Sequence, residues 1–164
     1  MAFIRSQISE NHSEPMNDKL FTIGFTQKTA EQFFSMLKTN SVQRLVDTRL
    51  NNINQLAGFS KRDDLKYFCK EIIGIEYFHW EESAPTSELL AAYKKKLISW
   101  DEYAKEYAVL LHKRRIASQV EYYLGSGGAC LLCSEAKPHR CHRSILATYL
   151  STLLERPVRI QHLT

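Results

Sequence analysis

Three features of this sequence predict an α/β fold, a three-layer Rossmann-like sandwich around a mainly parallel five-stranded sheet. Short apolar runs alternate with longer segments of helical periodicity. The runs lack strict polar alternation, as strands do when helices cover both faces of a sheet. Polar and charged residues gather at their carboxyl ends, where open α/β sheets place their ligands.

Residues 1–18, mixing Ser, Asn, Glu and Pro, are predicted to be a flexible leader, and 19–164 a single α/β domain. In the leader Phe3, Ile4 and Ile8 are apolar groups able to dock on the domain or on a second subunit. Leu20 to Phe25 is the first strand, and Gly24 near its end lets other groups come close. Phe33, Phe34, Met36 and Leu37 then recur at helical spacing, with Thr26 or Thr29 as cap, until about Asn40. Val42 to Thr48 is the second strand, with Asp47 and Arg49 at its carboxyl end. The irregular stretch Asn51 to Phe59 exceeds the usual connection in such folds.

Ser60 is placed to cap a helix over Lys61 to Gly74, with Asp63 and Asp64 in its first turn. Ile75 to Trp80 forms the third strand, followed by helices over Thr86 to Leu97 and Trp100 to about Ala117. Gly125 to Gly128 precedes a strand, whereas phosphate loops follow one, so it is read as a connector. Ala129 to Cys133 is the fourth strand, Cys141 to Leu154 a helix, and Val158 to Leu163 the last strand after Pro157.

With 44% hydrophobic and 24% charged residues over 164 positions, the chain can bury one sizeable core. A net charge of +4 accommodates an anionic partner without requiring one. Four scattered cysteines do not make a secreted disulfide framework, so they are read as reduced thiols in a cytoplasm. No signal peptide is apparent and no apolar run nears the roughly 18 residues of a spanning helix. The expected location is therefore cytoplasmic, with no membrane partner.

The strand-end rule brings together Gly24, Asp47, Arg49, His79, Cys133, Glu135 and the Cys141 turn. Cys141, at a helix start, feels the dipole and free N–H groups that favour thiolate, with His142 and Arg143 adding positive charge. Its plain alternative is a small buried packing residue. Cys133 and Arg140 resemble the ends of a cysteine phosphatase or sulfurtransferase loop only loosely, since Pro138 interrupts it. The C-x7-C spacing with His139 and His142 does not match a zinc site, so no metal is expected.

Asp47 as base with Arg49 as anion holder competes with an internal ion pair, and Glu135 is a proton donor or acceptor, or a partner for Arg143. His79, the basic runs Lys94 to Lys96 and Lys113 to Arg115, and the aromatics Tyr93, Trp100, Tyr103 and Tyr107 read more simply as structure.

The strings TIGF, LVDTR, Phe59-Ser60-Lys61, APTSELLAAYKKKLISWDEYAKEY, LLCSE and CHRS, in this order from Leu20 to Leu163, resemble the domain-of-unknown-function family DUF488. The resemblance implies a bacterial or archaeal cytoplasmic α/β domain without implying an activity. Its signature positions fall on Thr22, Gly24, Asp47, Arg49, Cys133, Glu135, Cys141, His142, Arg143 and His162. Phe25 departs from the family, whose members often carry His or Tyr there.

The leading expectation is an enzyme that binds a phosphate-bearing small molecule or nucleotide beside the Cys141 helix start. Asp47, Cys133, Glu135 and Cys141 would carry the chemistry; Thr22, Gly24, Arg49, His142 and Arg143 would hold the ligand. The alternatives are a non-catalytic nucleic-acid or nucleotide-binding module and a Cys133–Cys141 redox sensor. The reaction, the cofactor and the oligomeric state are not specified by the sequence.

Overall fold

Five strands, β1 (Lys19–Gly24), β2 (Arg44–Asp47), β3 (Glu76–His79), β4 (Ala129–Cys133) and β5 (Arg159–Leu163), pair in the order β3-β2-β4-β1-β5. Every pairing is parallel. The computed structural model describes residues 19–53 and 57–164, so the expected leader lies outside the described residues.

Helices α1 (Ala30–Thr39) and α2 (Arg62–Ile73) pack on one face through Phe33, Phe34, Leu37, Leu65 and Cys69. They meet Phe21, Ile23, Leu45, Cys130 and Leu132 from the sheet. The other face, with Leu20, Val46, Ala129 and Leu131, is covered by α3 (Ser87–Lys94), α4 (Trp100–Lys113), α5 (Val120–Leu124) and α6 (His142–Leu153). Alternate residues of each strand thus enter opposite layers, the period of two that a pleated strand imposes. The expected three-layer α/β sandwich is present.

The chain path follows from handedness. From β1 through α1 and β2 to β3 it runs towards one sheet edge, then returns through β4 to β5 with its helices on the opposite face. The segment leaving central β4 therefore diverges from those leaving its neighbours β1 and β2. A crevice opens at their carboxyl ends.

Side-chain caps explain three of the six α-helix starts among the described residues, those of α1, α3 and α4. Thr29 is the N-cap of α1, its Oγ1 accepting from Gln32 N–H at 3.1 Å while Gln32 Oε1 accepts from Thr29 N–H at 2.9 Å. Ser99 and Glu102 form the same reciprocal cap on α4, and Thr86 caps α3. Rings expected on a helical stripe, Tyr93, Trp100, Tyr103 and Tyr107, contact one another with centroids 5.0–6.2 Å apart, tilted at Tyr93 and stacked from Trp100 through Tyr103 to Tyr107, in or against the core.

Three expectations need correction. Ser60 does not cap α2: its Oγ donates to the Ala57 carbonyl in a short 3-10 turn (Gly58–Ser60), and Lys61 occupies the cap without a side-chain bond. The α4 helix stops at Lys113 because Arg115 takes a left-handed conformation, φ 55°, and a separate turn and α5 follow. Strand β2 is shorter than Val42 to Thr48, covering Arg44–Asp47. The Gly125 to Gly128 segment is a connector at the amino end of β4, away from the crevice.

Candidate functional site

Two buried polar clusters sit at the carboxyl edge, one on each face of the sheet. Asp47 follows Leu45 towards the α1 and α2 layer and is fully buried. Its Oδ1 accepts from Arg49 N–H and from Nε, at 3.1 and 2.8 Å. Its Oδ2 accepts from Arg49 Nη2 at 2.7 Å, Tyr77 O–H at 2.6 Å and Asn52 Nδ2 at 3.2 Å. Burial first, and then the Asp47 charge, hold the Tyr77 phenol protonated and able to donate. Five donors leave this carboxylate no room to act as the base the sequence suggests. The ion-pair alternative describes it.

Arg49 is 3% exposed, and Nη2 also donates to the Ser60 carbonyl at 2.8 Å. The guanidinium carbon lies 5.2 Å from the Phe25 ring centroid, so the family-departing Phe25 supplies a π face there. His79 anchors the same loop, its Nε2 donating to the Arg49 carbonyl at 2.9 Å. Among the described residues, Arg49 Nη1 is a buried donor with no partner.

On the α6 face, Cys141 is the helix N-cap and its sulfur lies 3.1 Å from that of Cys133. Fully buried Arg143 donates from Nη1 to Cys133 Sγ at 2.9 Å and to the Glu135 carbonyl, and from Nη2 to the Ala136 carbonyl at 3.4 Å. Burial alone would raise the Cys133 pKa. The Cys141 S–H and the Arg143 charge outweigh it and hold Cys133 below the ordinary thiol value. Its hydrogen bond to Cys133, and then burial, push Cys141 far up.

The expectation of a Cys141 thiolate is thereby reversed. Two sulfurs in contact cannot both carry charge, and the one beside the guanidinium takes it. Sequence spacing alone showed Cys141 at a helix start but not that Arg143 turns back towards β4. Arg143 is likewise corrected from ligand holder to buried partner of Cys133.

Gly24 also has a different purpose from ligand approach. A Cβ there would fall 1.7 Å from the Glu135 carbonyl oxygen and 2.5 Å from Arg143 Nη1. What comes close to Gly24 is the chain itself. Thr22 faces β5, its Oγ1 2.7 Å from His162 Nδ1, and so does not join the crevice.

His142 sits between the clusters. Thr48 Oγ1 spends its hydrogen on the Leu132 carbonyl at 2.8 Å, so it accepts from His142 Nε2, 3.1 Å away. That nitrogen also lies 3.2 Å from the Thr48 carbonyl, and two acceptors assign it the proton. Burial, more than the neighbouring Arg143, lowers the His142 pKa to about 4, leaving a neutral ring with Nδ1 as an acceptor. Because the unfolded imidazole titrates near 6.5, acid favours the unfolded chain from that pH down to about 4. Chemical denaturation should show stability level above pH 6.5 and about 1–3 kcal/mol lower near pH 4 from this group. In His142→Asn that part of the acid slope should vanish; an unchanged slope would contradict the assignment.

Between the clusters lies a cavity of about 270 Å³ whose wall includes Arg49, Asn51, Lys94, Ser134, Glu135 and His142. These come from the ends of β2 and β4, the start of α6 and the end of α3. Glu135 has an exposed side chain here, while its carbonyl binds Arg143. Sequence reasoning missed Thr48, Asn52 and Tyr77, and read Lys94 only as part of a charged face. The Thr48 in LVDTR was the available signal. A larger surface groove of about 700 Å³ runs beside α4 and α6 with His139, Arg140 and His162.

Among the described residues no group of three or more His, Cys, Asp or Glu side chains could hold a metal ion. No helix there is long and apolar enough to cross a membrane. Comparison with protein-family models gives a match over residues 29–150 to one described as domain of unknown function DUF488. No curated protein and no solved structure matches the chain.

Proposed function

The chain belongs to the DUF488 family, and on that premise we propose that it binds a small anionic ligand, phosphate-bearing in the first instance, in the cavity between β2 and β4. The supporting observation is that Arg49, buried and with an Nη1 that has no partner among the described residues, is one of the residues lining that cavity. An unsatisfied buried donor on a cation costs free energy unless a ligand completes it. Lys94 adds a second positive charge at the rim, and His142 is next to the α6 amino terminus, whose dipole favours anions. A volume of about 270 Å³ suits a phosphate group with a small organic moiety more than an enclosed nucleotide.

As an enzyme, the protein would have Glu135 and His142 at the wall to move protons, while Asp47 fixes the Arg49 fork rather than touching substrate. The nucleic-acid alternative is weaker because Arg114, from one of the basic runs, is engaged with the Glu82 and Ala84 carbonyls.

Calorimetric titration with inorganic phosphate and simple phosphate monoesters tests the reading. Folded Arg49→Lys should bind roughly 10-fold or more weakly, since a charged hydrogen bond contributes about 1.5–3 kcal/mol. Lys94→Ala should cost only a few-fold at an exposed site. Equal binding by wild type and Arg49→Lys would remove the proposal, and tight, steeply salt-dependent binding of DNA or RNA would favour the alternative.

A further inference from the structure

We infer that Cys133 and Cys141 form a reversible disulfide in which Cys133 attacks the oxidant and Cys141 resolves it. The inference does not depend on anion binding. Both sulfurs are free thiols 3.1 Å apart, and a disulfide bond is ~2.05 Å, so closure needs an approach of about 1 Å. Cys141 is on the extended N-cap of α6, φ −123° and ψ 139°, and joins the helix through its carbonyl, which accepts from Ser144 N–H at 3.0 Å. Turning its side chain leaves that bond in place. The remaining cysteines, Cys69 and Cys130, pack in the opposite layer, so the sheet separates them from the pair.

Arg143 determines both the order of attack and the reversibility. Its Nη1 donates to Cys133 Sγ and not to Cys141, which makes Cys133 the anionic, attacking sulfur. Once the disulfide forms, the buried guanidinium, whose Nε has no partner, loses the anion beside it. The reduced form is the one stabilised, a condition that makes a dithiol easy to restore from its disulfide. The sulfurs are also sterically selective: Cys133 is 0% and Cys141 2% exposed, which favours an oxidant as small as hydrogen peroxide.

With hydrogen peroxide, the Cys133 thiolate attacks one oxygen, the O–O bond breaks and hydroxide leaves, giving a sulfenic acid. Hydroxide takes a proton from solvent. The Cys141 sulfur then attacks the Cys133 sulfur, the S–O bond breaks, and the Cys141 proton departs with the hydroxyl as water. Two thiols are oxidised and one peroxide becomes two waters. A low-molecular-weight thiol reverses the reaction by two exchanges and is itself oxidised to its disulfide.

The experiment exposes the reduced full chain to stoichiometric hydrogen peroxide, blocks remaining thiols, and maps peptides without reduction. A Cys133–Cys141 cross-link should form at least about tenfold faster than any modification of Cys69 or Cys130, whose burial raises their pKa. Glutathione should reverse it. In Cys141→Ser, dimedone should trap Cys133 as sulfenic acid; in Cys133→Ser, Cys141 should stay a thiol. Folded protein whose Cys133 and Cys141 remain unlinked, or which links either to Cys69 or Cys130, would overturn the inference. Phosphate titration of the reduced chain reports separately on the cavity.

Discussion

Replacing Asp47 by Ala should lower stability by about 3–5 kcal/mol, the cost of leaving a buried guanidinium without its counter-charge. Natural domains have only about 5–15 kcal/mol in hand, so this variant should be near the edge of folding. The effect is large because Asp47 is not a surface partner. It is 0% exposed, receives both Nε and Nη2 of Arg49, and takes further donors from Tyr77 and Asn52. Removing it takes an acceptor from five donors at once, of which only Arg49 Nη2 keeps the Ser60 carbonyl and Asn52 Nδ2 the Tyr77 hydroxyl.

Urea denaturation followed by circular dichroism at neutral pH would measure the loss. The double variant Asp47→Leu with Arg49→Met should recover most of it, since a buried ion pair can be exchanged for apolar volume at little cost while half of one cannot. A single Asp47→Ala variant within about 1 kcal/mol of the wild type would mean that water already solvates the pair.

Gly24→Ala is the second large effect, and it acts through space rather than through conformation. The new methyl would occupy the position of the Glu135 carbonyl and crowd Arg143 Nη1. The obstacle is backbone, which cannot swing aside like a side-chain tip. A loss of about 1–3 kcal/mol is expected for such overpacking, towards the upper value here.

A second readout separates this from generic destabilisation. Displacing Arg143 should weaken its hold on the Cys133 sulfur, so thiolate absorbance should titrate at a higher pH than in the wild type. Cys133 titrating unchanged in folded Gly24→Ala would show that Arg143 does not set its charge.

Periodicity made most elements legible in the chain. Phe33, Phe34 and Leu37 line the buried stripe of α1, and the apolar run ending in Cys133 is β4. Those assignments succeed because burial of a repeated apolar pattern is a local property that any neighbouring layer satisfies. Ser60 failed as a cap because its hydroxyl had a nearer acceptor at Ala57, a competition that composition does not reveal. The helix break at Arg115 was hidden for a related reason: a left-handed residue that is not Gly leaves little trace in sequence.

By itself the sequence determined the α/β class, the strands and most helices, the family resemblance, and the gathering of polar residues at one edge. Handed crossovers and strand-end placement follow from chain chemistry alone. Only the tertiary structure decided which of those residues pair. Arg143 bends to Cys133 and Arg49 to Asp47, so the arginine on the cavity wall is Arg49, and the cysteine favoured as thiolate is Cys133. The reason is that charge in a low-dielectric interior is governed by contacts of about 3 Å, and spacing along the sequence puts such groups near one another without deciding which donor meets which acceptor.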